Sequence, residues 1–199
     1  EHEDNGRFLK DISEWLQYPI IEAKNKDFPN ASIVEVFDKR QYMSGIHGAP
    51  CTKLLKKQAR YEYELTHEID FHVLGFPIEE WQRQKRFNEG ERNNTLPVLI
   101  DNLITKEDCF KILKKAEIKL PEIYSYGFPN ANCIGCVKSS SPAYWNLVRE
   151  TFPEVFLQRA EQSRKIGCKL IRLHGKRIYL DELTINKKSG KIDNPECGI

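Results

Sequence analysis

The sequence predicts an α/β fold with a mainly parallel sheet and helices on both of its faces. Short apolar, strand-like runs alternate with longer amphipathic stretches, and this alternation favours crossover connections between parallel strands. The chain has 199 residues, 40% of them hydrophobic and 30% charged. That length and composition suit a single globular domain with a hydrophobic core. Without a run of about 18 apolar residues, we expect no membrane span.

The first half of the chain contains four predicted elements and a loop, each placed by its apolar spacing or its turn residues. The predicted loop holds two glycines, a histidine and a proline, and the helix after it is rich in lysine. In order, the elements are a helix from Asp4 or Asn5 to Leu16, a strand over 18–24, a helix capped by Asn30 with Ile33, Val34 and Phe37 inward, a loop over 41–50, and a basic helix over 51–64.

The second half contains strands and helices that alternate up to a terminal hairpin. Thr105 followed by Asp108 is typical of a capping box, and Gly175 is typical of a hairpin turn. The elements are a strand over 71–76, a helix from Pro77 through Phe87, a strand over 96–100, a helix opened by Thr105 with Phe110, Ile112 and Leu113 buried, helices over 142–149 and 153–166, and hairpin strands over 169–173 and 177–180.

Charge and cysteine content limit the classes of partner. Lys and Arg number 31 against 29 for Asp and Glu, and this net charge of +2 does not indicate a nucleic-acid partner. The first 15 residues are acidic and polar, so we expect no signal peptide. Six cysteines in such a chain favour a reducing, cytoplasmic location over a disulfide framework.

The strongest motif is the pair Cys133 and Cys136. Two thiolates at this spacing can bind one metal from a tight turn, and Gly135 between them permits a positive φ. A redox dithiol has the same spacing, but it normally follows a strand and opens a helix, whereas residues 127–132 read as a loop. A metal or cluster is the favoured interpretation; a redox pair and an accidental spacing remain open.

Several segments together resemble the phosphoadenosine-phosphosulfate (PAPS) reductase family of the adenine-nucleotide α-hydrolase-like superfamily, and its short phage and bacterial members most closely. The resemblance covers nearly the whole chain and is most specific in the cysteine segment. Its segments are residues 1–9, 48–57, 74–83, 130–138, 144–156, 180–183 and 196–199.

The resemblance implies a particular organisation of the chain. We expect a nucleotide-binding α/β core over 1–126, and a cysteine region over 127–199 packed on the same domain. The family's first βα unit, with a Ser-Gly-Gly-type phosphate-binding loop, would precede Glu1 and is expected to be absent here. The tail cysteine, Cys197 in Pro-Glu-Cys-Gly, matches the family's catalytic segment only loosely. We therefore name no catalytic residue.

The metal ligands that we predict are Cys51, Cys133, Cys136 and Cys197. Cys51 precedes Cys133 by 82 positions, similar to the spacing in family members that carry a [4Fe–4S] cluster. Cys197 is the first choice for fourth ligand, because a tail can fold back, and Cys109 is the second. Cys168 is expected to pack in the core. Four thiolates suit iron–sulfur and zinc alike, and the resemblance favours iron.

Basic residues suggest where an anionic substrate would bind. Lys56 and Arg83 are the candidate ligands of phosphate or sulfate oxygens, since lysine supplies a point charge and arginine a planar fork. The implied nucleotide is PAPS, adenosine phosphosulfate (APS) or ATP, the last with Mg²⁺. A second basic stretch (Arg172, His174, Lys176 and Arg177) is interpreted as an exposed hairpin that could close over the substrate or touch a nucleic acid.

Three functions therefore stand side by side. The leading one is a PAPS reductase-like enzyme that binds an adenine nucleotide beside a cysteine-ligated cluster, with a thioredoxin-like thiol donor or a sulfur donor as partner. The second is an ATP-dependent sulfurtransferase acting on tRNA or DNA. The third is a non-enzymatic binding module stabilised by zinc. A homodimer is compatible with each of them.

Overall fold

The computed structural model describes residues 1–185 and 192–193, and about half of these lie in helices. The described helices and strands form a mixed α and β chain, and none of the described helices is both long and apolar enough to cross a membrane. In order they are α1 (Asp4–Leu16), α2 (Ile33–Arg40), α3 (Ala59–Glu64), β1 (His72–Val73), α4 (Trp81–Gly90), β2 (Thr95–Leu96), α5 (Val98–Asp101), α6 (Lys106–Lys115), α7 (Pro142–Thr151), α8 (Pro153–Ile166), β3 (Ile171–Leu173) and β4 (Lys176–Ile178).

The chain divides into two compact units. Unit 1 consists of Glu1–Arg7, Ile21–Tyr63 and Pro121–Ile199, and unit 2 consists of Phe8–Ile20 and Glu64–Leu120. Unit 1 therefore combines the loop over 41–50, Cys51 and the Cys133 to Cys136 segment.

The core of unit 1 is built around α7 and α8, which pack against each other. Trp145 and Val148 of α7 and Phe156 and Ala160 of α8 are buried there, together with Phe37 of α2. Aromatic edge-to-face contacts connect this core, with Trp145 lying 5.3 Å from the ring of Tyr144. Trp145 itself is fully buried.

A wide helical segment precedes α3. Residues Thr52–Gln58 form a π-helix, in which hydrogen bonds join residues five apart rather than four. The buried Asn25 side chain supports it, because its Nδ2 donates to the carbonyl of Leu54 at 2.8 Å. The predicted basic helix is therefore present, but its first half is wound more widely than an α-helix.

Unit 2 contains a short βαβ arrangement. The strands β1 and β2 pair in parallel, with His72 opposite Thr95 and Val73 opposite Leu96, and α4 connects them along the chain. In unit 1, β3 and β4 form the predicted antiparallel hairpin, and the turn residue Gly175 has a φ of +78°. The described sheets thus have two strands each.

Three of the predicted strands are wrong in type or extent. Residues 18–24 form no strand, and their apolar side chains Tyr18, Ile20 and Ile21 are exposed. The strand predicted over 96–100 ends at Leu96, because Pro97, which lacks an N–H, is the N-cap of α5. The strand predicted over 71–76 is shortened to β1.

The predicted helices are present, with two corrections. Ser32, not Asn30, caps α2, and its hydroxyl accepts a hydrogen bond from the amide of Glu35 at 3.3 Å. The amphipathic helices α1 and α6 contain no buried residue, so the apolar face predicted to be buried in α6 is half-exposed or exposed. The capping box of Thr105 and Asp108 is confirmed.

Candidate metal centre

The predicted cysteine pair lies in a tight turn that packs directly on α8. Gly135 between the two cysteines has a φ of +69°, as the motif predicted. A Cβ atom at this position would lie 3.1 Å from Cγ1 of Val155 and 3.8 Å from Nε of Arg159. Glycine is therefore required here both for the backbone conformation and for the close approach of α8.

The hydroxyl of Tyr144 holds the turn together. The backbone N–H of Cys136 donates to this oxygen at 2.8 Å, and the hydroxyl in turn lies 3.4 Å from the carbonyl oxygen of Cys133. Burial, followed by the nearby Cys136 thiol, raises the pKa of Tyr144 well above its usual value. The hydroxyl stays protonated and can donate to Cys133 throughout the ordinary pH range.

Arg159 is a buried cation on the apolar face of α8. Only 1% of the residue is exposed, and its guanidinium lies 5.2 Å from the centre of the Phe37 ring. One nitrogen, Nη1, donates to the side-chain oxygen of Gln162. Its Nε is buried and has no hydrogen-bond partner among the described residues, although it faces the Gly135 turn. Within the same residues no carboxylate pairs with this guanidinium.

Three of the predicted metal ligands lie near enough to Arg159 to influence its pKa. Burial lowers the pKa of the Arg159 guanidinium, and the nearby Cys51, Cys133 and Cys136 act in the opposite direction, as groups that can carry negative charge. Cys136 is buried in the core of unit 1, and Cys51, at the start of the π-helix, packs against the same core. Residue 51 and the turn 82 positions later therefore border the same hydrophobic core.

The described residues fit an anionic thiolate centre, although they do not by themselves complete one. In the ranges that the structure describes, no three His, Cys, Asp or Glu side chains are grouped closely enough to hold a metal ion. A buried guanidinium that lacks a carboxylate, however, requires negative charge nearby, because an unpaired buried charge is costly. Three cysteine thiolates on a metal would supply that charge.

The predicted fourth ligand, Cys197, lies outside the described residues. Asp193, four positions before it, is held beside the cysteine turn. Its carboxylate accepts hydrogen bonds from the hydroxyl of Ser139 and from the backbone N–H groups of Ser140 and Ser141, the last two at 3.0 and 3.2 Å.

A basic cleft lies beside the cysteines, within unit 1. Its volume is about 430 Å³, and the described residues that line it include Lys53, Lys57, Lys138 and His47 but no carboxylate. Thr52, which directly follows Cys51, also lines it; this residue is only 7% exposed, and its hydroxyl has no hydrogen-bond partner among the described residues. The cleft can therefore accept oxyanions.

The two predicted anion ligands lie in different units. Lys56 belongs to the π-helix of unit 1 and is exposed, but it is not among the residues that line the basic cleft. Arg83 belongs to α4 of unit 2, where it forms an ion pair with Glu80 at 2.8 Å and packs over the ring of Phe76. Their part in anion binding stays a prediction.

Of the two other described cysteines, one belongs to unit 2 and the other to unit 1. Cys109 is half-buried in α6 of unit 2, and burial raises the pKa of its thiol. Cys168 packs against the core of unit 1, as expected, and its thiol donates to the carbonyl of Ser44 at 3.5 Å.

Sequence reasoning missed Arg159, although a signal was present. Val155, Phe156, Arg159, Ala160 and Ser163 follow helical spacing, so an arginine stands on the buried face of an amphipathic helix. A charged residue on such a face indicates a buried partner. Lys138 had no comparable signal, because only the folded turn brings it to the cleft.

Comparisons with known proteins identify no relative of this chain. No protein-family model matches it, and no curated protein and no solved structure matches it significantly.

Proposed function

We propose that the chain is a PAPS reductase-like enzyme with a metal centre ligated by Cys51, Cys133 and Cys136, and with Cys197 as the fourth ligand. A [4Fe–4S] cluster is the proposed centre, and zinc is the alternative. The proposal is supported above all by Arg159, a buried cation without a carboxylate partner in the described chain, whose Nε faces the turn between Cys133 and Cys136.

Electrostatics favours a thiolate-bound centre over three neutral thiols. Four thiolates bound to zinc or to a [4Fe–4S] core leave a net negative charge, which a guanidinium beside the ligands compensates. Arg159 would then act as a residue behind the ligands that stabilises the charge of the centre. A redox dithiol of Cys133 and Cys136 would leave Cys51 without a role.

Nucleotide binding is the second part of the proposal. The parallel pairing of β1 and β2 around α4 is compatible with the mainly parallel sheet, helices on both faces, of the adenine-nucleotide α-hydrolase-like fold. PAPS, APS or ATP with Mg²⁺ would be the nucleotide, and Lys56 of unit 1 and Arg83 of unit 2 are each a candidate anion ligand. The basic cleft supplies further cations next to Cys51. We place this enzyme in the cytoplasm, where thiolates stay reduced.

Two reactions are compatible with such a centre. In the reductive route, the bond between the sulfuryl group and the nucleotide phosphate breaks, sulfite and the nucleotide leave, and a dithiol donor loses two electrons and two protons to become a disulfide. In the ATP route, an acceptor oxygen attacks the α-phosphate of ATP and pyrophosphate leaves, after which a sulfur donor displaces the adenylate.

The test begins with anaerobic purification of the full chain and measurement of iron, acid-labile sulfide and zinc. About four irons per chain support the cluster, one zinc per chain supports the zinc-stabilised binding module, and no metal contradicts the proposal. The same preparation is then assayed for sulfite release from PAPS or APS with a dithiol donor, and for pyrophosphate release from ATP. Cys109→Ser is the matched control for Cys51→Ser, since Cys109 lies in unit 2.

A further inference from the structure

Charge is distributed unequally between the two units. Unit 1 contains 21 Lys and Arg against 16 Asp and Glu, whereas unit 2 contains 10 against 13. The near-neutral charge of the whole chain therefore conceals a basic unit and an acidic one. Unit 1 is the unit that carries the cysteine turn and the basic cleft.

Within unit 1, the cations of the cleft follow one side of the helical segment 52–61. Residues five positions apart lie on one face of a π-helix. The cleft is lined by two such pairs, Thr52 with Lys57 and Lys53 with Gln58. Tyr61 continues this lining beyond the π-helix and is 47% exposed. Cations and an aromatic ring in one groove form a typical platform for nucleotides.

A second exposed basic surface of unit 1 is the hairpin of β3 and β4, and one hydrogen bond connects the segment before it to the loop over 41–50. This loop contains His47, and its residue Ser44 accepts a hydrogen bond from Cys168, which leads directly into β3. The hairpin of β3 and β4 exposes Arg172, His174, Lys176 and Arg177. A single small anion would bind only in the cleft, whereas a polyanion could also contact this hairpin.

We propose that unit 1 binds a single-stranded nucleic acid segment, with one nucleotide in the cleft and the neighbouring phosphates along the basic hairpin. Lys53, Lys57 and Lys138 bind phosphate oxygens, the orphan hydroxyl of Thr52 hydrogen-bonds to the same group, and Tyr61 stacks on a base. The inference rests on the proposed function, because it makes the nucleic acid the acceptor that lies beside the metal centre.

The test measures fluorescence anisotropy of labelled 12-nucleotide RNA and DNA strands with the full chain over a series of salt concentrations. The double variant Lys53→Ala/Lys57→Ala should weaken binding by tenfold or more. It should also lower the slope of log Kd against log salt concentration by about 1.4, the effect of losing about two phosphate contacts. Tyr61→Ala should weaken it by at least about fivefold, while Tyr61→Phe should retain it. Lys114→Ala/Lys115→Ala, on α6 of unit 2, is the matched control and should bind like the unchanged chain.

Other outcomes overturn the inference. Binding of the strands that is equal in the cleft variant and in the control variant would show that the cleft is not the site. Displacement of the strands by AMP or inorganic phosphate at concentrations near the strand Kd would show a small-anion site instead. Metal content is measured on the same preparations. A chain that holds metal but binds no strand contradicts this inference alone. A chain that binds the strand without metal contradicts the proposed function alone.

Discussion

At the scale of single residues, the cysteine turn depends on three neighbours that are not themselves candidate ligands. Gly135 permits its backbone conformation, Tyr144 satisfies its polar backbone groups, and Arg159 places a positive charge behind it. Each acts through a different physical effect, so each can be changed separately. The predictions at this scale use that independence.

Replacement of Gly135 by alanine should destabilise the chain by about 1–3 kcal/mol. Backbone strain at a positive φ and the 3.1 Å approach to Val155 both contribute. Gly175→Ala is the matched control, because its φ is also positive but a Cβ there would meet nothing within 4 Å. Urea denaturation followed by circular dichroism measures both. Equal losses in the two variants would show that the turn does not pack closely on α8.

Tyr144→Phe should lower the free energy of unfolding by about 1–3 kcal/mol, since the buried N–H of Cys136 loses its acceptor. Tyr126→Phe removes an exposed hydroxyl that bonds to Glu122, and it should change stability by less than about 0.5 kcal/mol. The two variants are compared in the same urea titration. A Tyr144→Phe variant as stable as Tyr126→Phe would be evidence against the hydrogen-bonded turn.

The effect of Arg159→Met should differ between a chain that binds the metal and a chain that does not. In a chain without the centre, removal of an unpaired buried charge should leave the free energy of unfolding unchanged or raise it. In a chain with the centre, the loss of the compensating charge should weaken metal retention about tenfold or more against a chelator. Arg159→Lys, which keeps the charge, should retain more metal than Arg159→Met. Equal retention by the two variants would remove the role we give to the arginine.

At the scale of elements, the helices could be predicted more fully than the strands. Caps and periodicity predicted α6, α7 and α8 closely, because such signals are local. The strands depend on pairing with distant residues, and β1 and β2 keep only two residues each. That pairing cannot be predicted from the residues of the strand alone.

The π-helix explains why the cleft could not be derived from the sequence. In an α-helix, residue 56 would share a face with residue 52. In the π-helix residue 57 takes that place, and Lys57 rather than Lys56 lines the cleft. The Asn25 side chain that hydrogen-bonds to this segment lies 29 positions before Leu54, a contact that the local pattern does not reveal.

The capping box of α6 should make the titration of Asp108 depend on Thr105. The hydroxyl of Thr105 is the largest cause that lowers the pKa of Asp108 below its ordinary 3.8. The stability that this carboxylate contributes is therefore present above pH 3.8 and is lost as the pH falls through the lower folded-state value.

Nuclear magnetic resonance of the Asp108 carboxyl tests this dependence. We expect a titration midpoint below 3.8 in the unchanged chain and in Thr105→Ser, and a midpoint shifted upward in Thr105→Ala. The same midpoint in all three chains would contradict a role for the threonine hydroxyl.

At the scale of the whole molecule, the cysteine motif could be predicted but its surroundings could not. The spacing of Cys133 and Cys136 and the position of Cys51 stood in the sequence. The division into a basic and an acidic unit did not, because each unit is assembled from separate stretches of chain. Net charge alone therefore understated the basic character of the cysteine-bearing unit.

The most direct test is the metal content of the full chain purified without oxygen, compared with Cys51→Ser, Cys133→Ser and the controls Cys109→Ser and Cys168→Ser. We expect stoichiometric iron in the unchanged chain and in both controls, and loss of most of it in the other two variants, because residues 51 and 133 bind the same centre. A chain that holds no metal, or a Cys51→Ser variant that retains as much as the controls, would contradict a shared centre beside Arg159.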